Sequence, residues 1–171
     1  MKKIKLTQGK EALVDDEDYE MLMEHKWFAN KDDKSGKFYV KRKSPIDSNG
    51  KQKTICMHRV ITNAPKGKQI DHINGNPLDN RKENLRTCTN QQNQMNRGRT
   101  KNNKSGYKGV YYSKKSKSMI NEHSKPWRAE IQHNKKIIYL GYYKTKEEAA
   151  LAYNKKAKEL NGEYAQLNNV L

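Results

Sequence analysis

The chain has 171 residues, enough for one ordinary domain or two small ones, and 33% of them are hydrophobic against 32% charged. Its formal net charge of +17 is uneven: residues 1–50 contain 11 Lys and Arg against 10 Asp and Glu, and the other residues contain 25 against 9. A strongly basic region indicates a polyanionic partner, usually nucleic acid, and the sequence lacks the long apolar run of a membrane protein.

Cysteine usage and the N-terminal segment bear on the cellular compartment. Cys56 and Cys88 form no CxxC pair, so we expect two reduced, structural thiols rather than a disulfide or a zinc site. The segment MKKIKLTQGK is basic but lacks the apolar core of a signal peptide. We therefore expect a cytoplasmic protein.

The first third of the chain predicts a small α+β region. Residues 1–53 combine short apolar stretches with an acidic helix start. Within them, KFYVKRK (37–43) is typical of a strand, and Asn49-Gly50 is typical of a hairpin turn. The next apolar segment, TICMHRVI (54–61), fits either a strand throughout or a strand that becomes helical by His58.

Asparagine is dense in the middle of the chain. Residues 69–93 read QIDHINGNPLDNRKENLRTCTNQQN, and Asn74, Asn76 and Pro77 are typical turn residues. Residues 95–106 contain four basic residues and no apolar periodicity. That composition indicates an extended basic linker able to contact a nucleic-acid backbone.

The last third predicts a three-stranded sheet followed by one helix. The strand candidates are GYKGVYYS, PWRAEIQH and KIIYLGYY, and the middle one alternates between apolar and polar residues. The helix has a capping box formed by Thr145 and Glu148, and Gly162 marks its end. One helix covers only one face of the sheet, so the polar, tyrosine-containing face remains open.

Four segments of this last third resemble the APETALA/ethylene-responsive-factor DNA-binding domain. They are SGYKGVYY (105–112), WRAEI (127–131), YLGYY (139–143) and residues 145–168. In that family the sheet lies in the DNA major groove and reads bases, as β-ribbon proteins do. The resemblance implies six DNA-facing positions here: Lys108, Tyr111, Arg128, Glu130, Gln132 and Tyr139. The two tyrosines depart from the arginine-rich pattern of the plant proteins, so no particular target sequence is implied.

The asparagine-rich stretch resembles the HNH nuclease family, specifically its phage- and intron-encoded homing branch. The matching residues are HRVI (58–61) and IDHINGNPLDNRKENLRTCTNQQN (70–93). The resemblance implies a ββα-metal finger in which Asp71-His72 ends a strand and a helix begins near Thr89. Many family members have a histidine where this chain has Asn93.

That resemblance also implies roles for four side chains. His72 would be the general base, because imidazole titrates near neutral pH. Asp71 and Asn93 would supply oxygen ligands to Mg²⁺ or Mn²⁺. Asn84, whose amide donates and accepts at once, would pin the loop that bears His72. His58 is open between a phosphate-binding role and a structural role beside Arg59.

The combined prediction is an α+β protein in four parts. These are an N-terminal α+β region (1–53), an HNH ββα-metal domain (54–97), a basic linker (98–104) and a DNA-binding domain (105–168). We expect a homing endonuclease that acts as a monomer on double-stranded DNA in a host cell, a bacterial one, without a membrane partner. Arg97 and Arg99 are expected to contact DNA. The alternatives are a sequence-specific DNA-binding regulator with an inactive HNH motif and a structural RNA-binding protein.

Overall fold

The computed structural model describes residues 1–33, 35–99, 102–113 and 125–170. The chain divides into two compact units, Met1–Asn93 and Gln94–Leu171, and each has a hydrophobic core of its own. None of the helices in the described residues is both long and apolar enough to span a membrane. The small antiparallel sheets and separate helices confirm the predicted α+β class.

The first unit contains three small antiparallel sheets. Its elements are β1 (Lys2–Lys5), β2 (Glu11–Val14), α1 (Asp16–Met23), β3 (Phe28–Lys31), β4 (Phe38–Lys43), β5 (Thr54–Cys56), α2 (Met57–Thr62), β6 (Gln69–His72), β7 (Leu85–Cys88) and α3 (Asn90–Met95). The last two residues of α3 belong to the second unit. Strands β1 and β2 pair with each other, β3, β4 and β5 form the second sheet in that order, and β6 pairs with β7. The predicted strand at 37–43 is therefore confirmed as β4.

The core of the first unit explains why the apolar segment at 54–61 changes from strand to helix. Strand β5 spans three residues, and α2 begins at Met57, which is fully buried. Met57 packs in one cluster with Val40 of β4, Leu22 of α1 and Trp27. A helix starting at Met57 buries this side chain once the strand has ended, so packing decides between the two alternatives that the pattern allowed.

The predicted boundary between residues 53 and 54 lies inside this unit. Strand β5 is the third strand of the sheet that β3 and β4 begin. Strand β2 also holds the chain after β6, because Leu13 donates its N–H to the Leu78 carbonyl at 2.9 Å and accepts from the Asn80 N–H at 2.8 Å. The N-terminal region and the HNH-like segment are thus parts of one folded body.

The second unit is a three-stranded antiparallel sheet with one long helix. Its elements are β8 (Val110–Tyr112), β9 (Trp127–His133), β10 (Lys136–Tyr143) and α4 (Lys146–Asn161), and the strand order is β10–β9–β8. Alanines and a tyrosine of α4 pack on the inner face of the sheet. The predicted capping box of Thr145 and Glu148 is present. Thr100 and Lys101, in the predicted linker, lie outside the described residues.

Gly109 lies close against α4 and the neighbouring strand. Its φ of +75° is in the left-handed region, and a Cβ there would overlap the Tyr153 ring and lie 2.5 Å from the Glu130 carbonyl oxygen. Glu130 donates its N–H to the Gly109 carbonyl at 2.9 Å. Glycine is required here for both conformation and space.

Candidate active site

The β6–β7 hairpin carries the two residues that open the asparagine-rich stretch. Asp71 lies opposite Arg86, and His72, the last residue of β6, lies opposite Leu85. Side chains alternate along a strand, so Gln69 and Asp71 share one face and His72 lies on the other. The prediction that the Asp-His pair ends a strand is confirmed.

Asp71 is held in an enclosed ion pair. It is buried, and Arg86 donates to its Oδ2 from Nε at 3.0 Å and from Nη2 at 2.8 Å. Charge-assisted hydrogen bonds of this length fix the orientation of the carboxylate. Our sequence reasoning missed Arg86; the available signal was a basic residue at a position able to pair across the hairpin.

Helix α3 brings Asn93 to the face of the hairpin that carries Asp71. The helix begins at Asn90, where a start near Thr89 was predicted, and Thr89 and Gln92 exchange side-chain-to-backbone hydrogen bonds of 2.8 and 3.2 Å as a capping box does. The Asn93 Nδ2 donates to the Gln69 Oε1 at 2.6 Å. Because Gln69 and Asp71 share a face, the Asn93 amide lies on the same side as the Asp71 carboxylate.

The donors on this face fit a hard divalent cation. Asp71 offers carboxylate oxygen and Asn93 offers amide oxygen, whereas no group of three or more His, Cys, Asp or Glu in the described residues is arranged to hold a metal. Structural zinc needs about four protein ligands. Mg²⁺ is often held by one or two side-chain oxygens together with water and phosphate oxygens. The sparse set therefore fits Mg²⁺ or Mn²⁺ on donor chemistry.

His72 is enclosed by side chains from three other segments. The His58 ring centroid lies 5.2 Å from that of His72, and the Tyr39 centroid lies 6.4 Å away, both in edge-on geometry. Burial lowers the pKa of His72, and the nearby Asn80 side chain and the charge of Asp71 oppose that shift. The imidazole is thus neutral near pH 7, the form that can accept a proton.

His58 packs against His72, whereas the neighbouring Arg59 binds backbone carbonyls. Burial, with the nearby charges of His72, Arg59 and Lys41, lowers the pKa of His58 to about 3, so this ring is uncharged where it packs on His72. Arg59 donates to the carbonyls of Lys68, Ala64 and Pro65 at 2.9, 3.1 and 3.2 Å and ties down the loop before β6.

Asn84 connects two parts of the loop that follows His72. Its side chain is buried; Nδ2 donates to the Asp79 carbonyl at 2.8 Å, and Oδ1 accepts from the Asn74 N–H at 2.9 Å. The backbone adds a third link, because Ile73 donates its N–H to the Asn84 carbonyl at 2.9 Å. One amide thus fixes the turn immediately after His72.

Asp79 is a second centre of this loop, and sequence reasoning missed it. Its carboxylate is 2% exposed and accepts from Arg81 Nε at 2.8 Å, Arg81 Nη2 at 2.7 Å and Asn74 Nδ2 at 2.9 Å. The Arg81 hydrogen bonds are the main reason that the pKa of Asp79 is lowered. Buried carboxylates are stable only with such partners, so the asparagine-rich loop is rigid around Asp79.

Five of the six predicted DNA-facing positions of the sheet lie in its strands. They are Tyr111, Arg128, Glu130, Gln132 and Tyr139. Arg128 forms a 3.0 Å ion pair with Glu130, and its guanidinium carbon lies 5.7 Å from the centroid of the Tyr111 ring. The side chains of Gln132 and Tyr139 are exposed. These residues form an accessible polar and aromatic surface.

The remaining predicted DNA contacts lie outside the strands. The Lys108 ammonium donates to the Met95 carbonyl at 2.7 Å, and burial lowers its pKa to about 8. Arg97 and Arg99 are exposed and belong to no helix or strand. The structure therefore separates Lys108 from the five strand residues and leaves the two arginines accessible.

Comparison with known proteins identifies the family. A family profile described as "HNH endonuclease" matches residues 57–95. "Protein 3.8" of Escherichia phage T7 is 33% identical over 102 residues, which cover 60% of this chain and 77% of that protein. The chain belongs to the HNH endonuclease family.

A second viral relative carries the family name. "Uncharacterized HNH endonuclease L560" of Acanthamoeba polyphaga mimivirus is 36% identical over 101 residues, which cover 59% of this chain and 47% of that protein. The match thus spans about half of the mimivirus protein. No solved structure matches the chain. The HNH profile coincides with α2, the β6–β7 hairpin and α3, the elements around Asp71 and His72.

Proposed function

We propose that this chain is a site-specific DNA endonuclease of the homing type that hydrolyses a phosphodiester bond by metal-assisted attack of water. The observation that carries the proposal is the hairpin end, where neutral His72 adjoins Asp71 and Asn93 lies on the face of Asp71. Membership of the HNH family and the net charge of +17 support a DNA substrate.

His72 is the proposed general base. Its ring is uncharged at neutral pH and packs edge-on against His58 and Tyr39, so it can take the proton of an attacking water. Asp71 and Asn93 would hold Mg²⁺ or Mn²⁺, with Arg86 keeping the Asp71 carboxylate in place. When bound, the cation supplies positive charge to the scissile phosphate and the leaving oxygen.

The second unit is proposed to select the DNA site. Its exposed sheet face, with Arg128, Gln132 and Tyr139, would enter the major groove, as in the domain that its sequence resembles. Arg97 and Arg99 would contact backbone phosphates. We propose that one molecule acts on double-stranded DNA inside a host cell, and the viral origin of both relatives supports that setting.

The experiment is cleavage of the DNA that flanks this protein's own gene, with Mg²⁺ or Mn²⁺ and end-mapping of both strands. We expect cutting at one defined position, abolished by EDTA. Tight, selective binding that leaves both strands intact would overturn the nuclease and favour the alternative, a DNA-binding regulator with an inactive HNH motif.

A further inference from the structure

Strand β4 of the N-terminal region presents one face to the histidine cluster. Val40, the third residue of β4, is 1% exposed and packs in the core. Alternation places Tyr39, Lys41 and Lys43 on the other face, and Lys37, which directly precedes the strand, continues the same alternation. Tyr39 on that face is the residue whose ring packs edge-on against His72. We call Lys37, Tyr39 and Lys41 the β4 lysine face.

Lys37 lies at the turn that follows His72. Its ammonium donates to the Gly75 carbonyl at 2.6 Å, and Gly75 in turn donates its N–H to the His72 carbonyl at 2.8 Å. An ammonium has three N–H donors, and this bond uses one of them. The side chain is exposed, so further donors are accessible to a ligand.

Lys41 lies at the other side of the cluster. It pairs across the sheet with Cys56, two residues before His58, and its ammonium donates to Asn30 Oδ1 at 2.7 Å. Burial is the main cause of the low pKa of His58, and the charge of Lys41 adds to it. The Lys41 ammonium is thus within electrostatic reach of the His58 ring, and the Lys37 ammonium lies at the turn after His72.

Neither lysine is neutralised by a carboxylate. Among the residues that the structure describes, Lys2, Lys3 and Lys82 of the same unit form ion pairs with acidic side chains, whereas Lys37 and Lys41 bond only to a carbonyl and an amide oxygen. Two positive charges beside a pair of half-buried or buried histidines repel further cations and attract an anion. The anion present during phosphodiester cleavage is the DNA backbone.

We propose that the β4 lysine face is part of the cleavage site, with Lys37 and Lys41 binding the phosphates on either side of the bond that the water activated by His72 attacks, and with Tyr39 orienting the His72 ring. This inference rests on the proposed nuclease function and assigns the N-terminal region a role in it. The region thereby supplies the phosphate-binding side of a site whose base and metal ligands come from residues 71–93.

The test uses the full chain, a short random-sequence DNA duplex and EDTA, so that binding is measured without cutting. Each phosphate contact contributes about 0.9 to the slope of log K against log salt concentration. Lys37→Met and Lys41→Met are each expected to lower that slope by about 0.9. Lys31→Met is the matched control, because Lys31 is an exposed lysine of the neighbouring strand β3 that pairs with Phe38 on the other face of the sheet.

Two results would overturn the proposal: unchanged slopes in both variants, or the same decrease in Lys31→Met. Thermal unfolding checks that Lys41→Met folds, and exposed Lys37 provides a variant that leaves the core intact. On cleavable DNA, Lys41→Met should lower kcat by a larger factor than it raises KM, whereas Lys31→Met should change neither. A wild-type chain that cuts no DNA removes the nuclease function but leaves the salt slopes as a separate test of phosphate contact.

Discussion

At the scale of single residues, His72 is the side chain on which cutting should depend most. A general base contributes about 10²–10⁴-fold to rate, so His72→Ala should reduce kcat by that factor. DNA affinity in EDTA should stay within about twofold of wild type, because a neutral base adds no phosphate contact. The measurement is single-turnover cleavage beside equilibrium binding.

Exposed His25 of the same unit provides the control. His25→Ala should cut at the wild-type rate. Equal cutting by His72→Ala and wild type would exclude His72 as the base.

Asn84 should matter through stability as well as cleavage. Asn84→Ala leaves the Asp79 carbonyl and the Asn74 N–H without their buried partner, which costs about 1–3 kcal/mol. The free energy of unfolding in urea measures this loss. Asn49→Ala, at an exposed turn, is the control and should change stability by less than about 0.5 kcal/mol. Equal effects in both variants would contradict the bracing role.

His58 makes the stability of the first unit sensitive to acid. Its pKa is about 3 in the folded chain, against about 6.5 in an unfolded chain. Between these values the unfolded chain binds a proton that the folded chain does not, so stability falls as pH decreases from about 6.5 toward 3. Phenylalanine does not titrate, so the free energy of unfolding of His58→Phe should fall by up to about 2 kcal/mol less than that of wild type between pH 7.5 and pH 5.

Urea unfolding at the two pH values measures that difference. The pH 7.5 values provide the reference, because His58 is neutral there in both states. Identical losses in wild type and variant would contradict the depressed pKa.

At the scale of elements, the packing of α4 on its sheet depends on Gly109. Gly109→Ala places a Cβ against the Tyr153 ring and the Glu130 carbonyl, and overpacking of this kind costs about 1–3 kcal/mol. Gly106→Ala is the matched control: its φ is also positive, at +86°, but its Cβ would meet no atom within 4 Å. The free energy of unfolding of Gly109→Ala should be about 1–3 kcal/mol lower than that of Gly106→Ala. Equal values would contradict a close contact of Gly109 with Tyr153 and Glu130.

Most elements were predictable because their signals are local. Alternation predicted β9, and the Thr145–Glu148 capping box predicted the start of α4. The Asp-His pair and Asn93 could be located by family resemblance. The roles of Arg86 and of the β4 lysine face could not be predicted. Strand alternation indicates which side chains share a face, but it does not indicate which residues that face contacts. That information is in the pairing of distant strands.

At the scale of the whole molecule, the proposed division of labour predicts that recognition and cutting respond to different substitutions. Gln132→Ala should reduce the preference for the mapped site over random DNA by about 1–3 kcal/mol if Gln132 contacts a base. Cleavage of bound DNA should keep its rate. Lys155→Ala, an exposed position on α4, is the control. Competition binding measures the preference, and no loss in Gln132→Ala would remove this residue from base readout.

The change in charge after residue 50 does not mark the edge of a folded unit. Residues 1–50 carry a net +1 and the rest +16, yet β4 and β5 pair across that change. The distribution of charge reflects which surface binds a ligand, whereas the boundaries of a folded unit are set by its hydrophobic core. Composition therefore indicates the kind of partner but does not indicate where the first unit ends.

The shared β3–β4–β5 sheet limits how the HNH-like segment of this chain can be joined to other domains. A chimera that joined residues 54–97 to a new recognition domain would carry β5 without β4, and Met57 without Val40 and Trp27. An unpaired strand edge and an exposed core residue favour aggregation. The smallest segment that can be transferred with its fold intact should instead begin at β1. The HNH-like segment and the N-terminal region would then always be exchanged together.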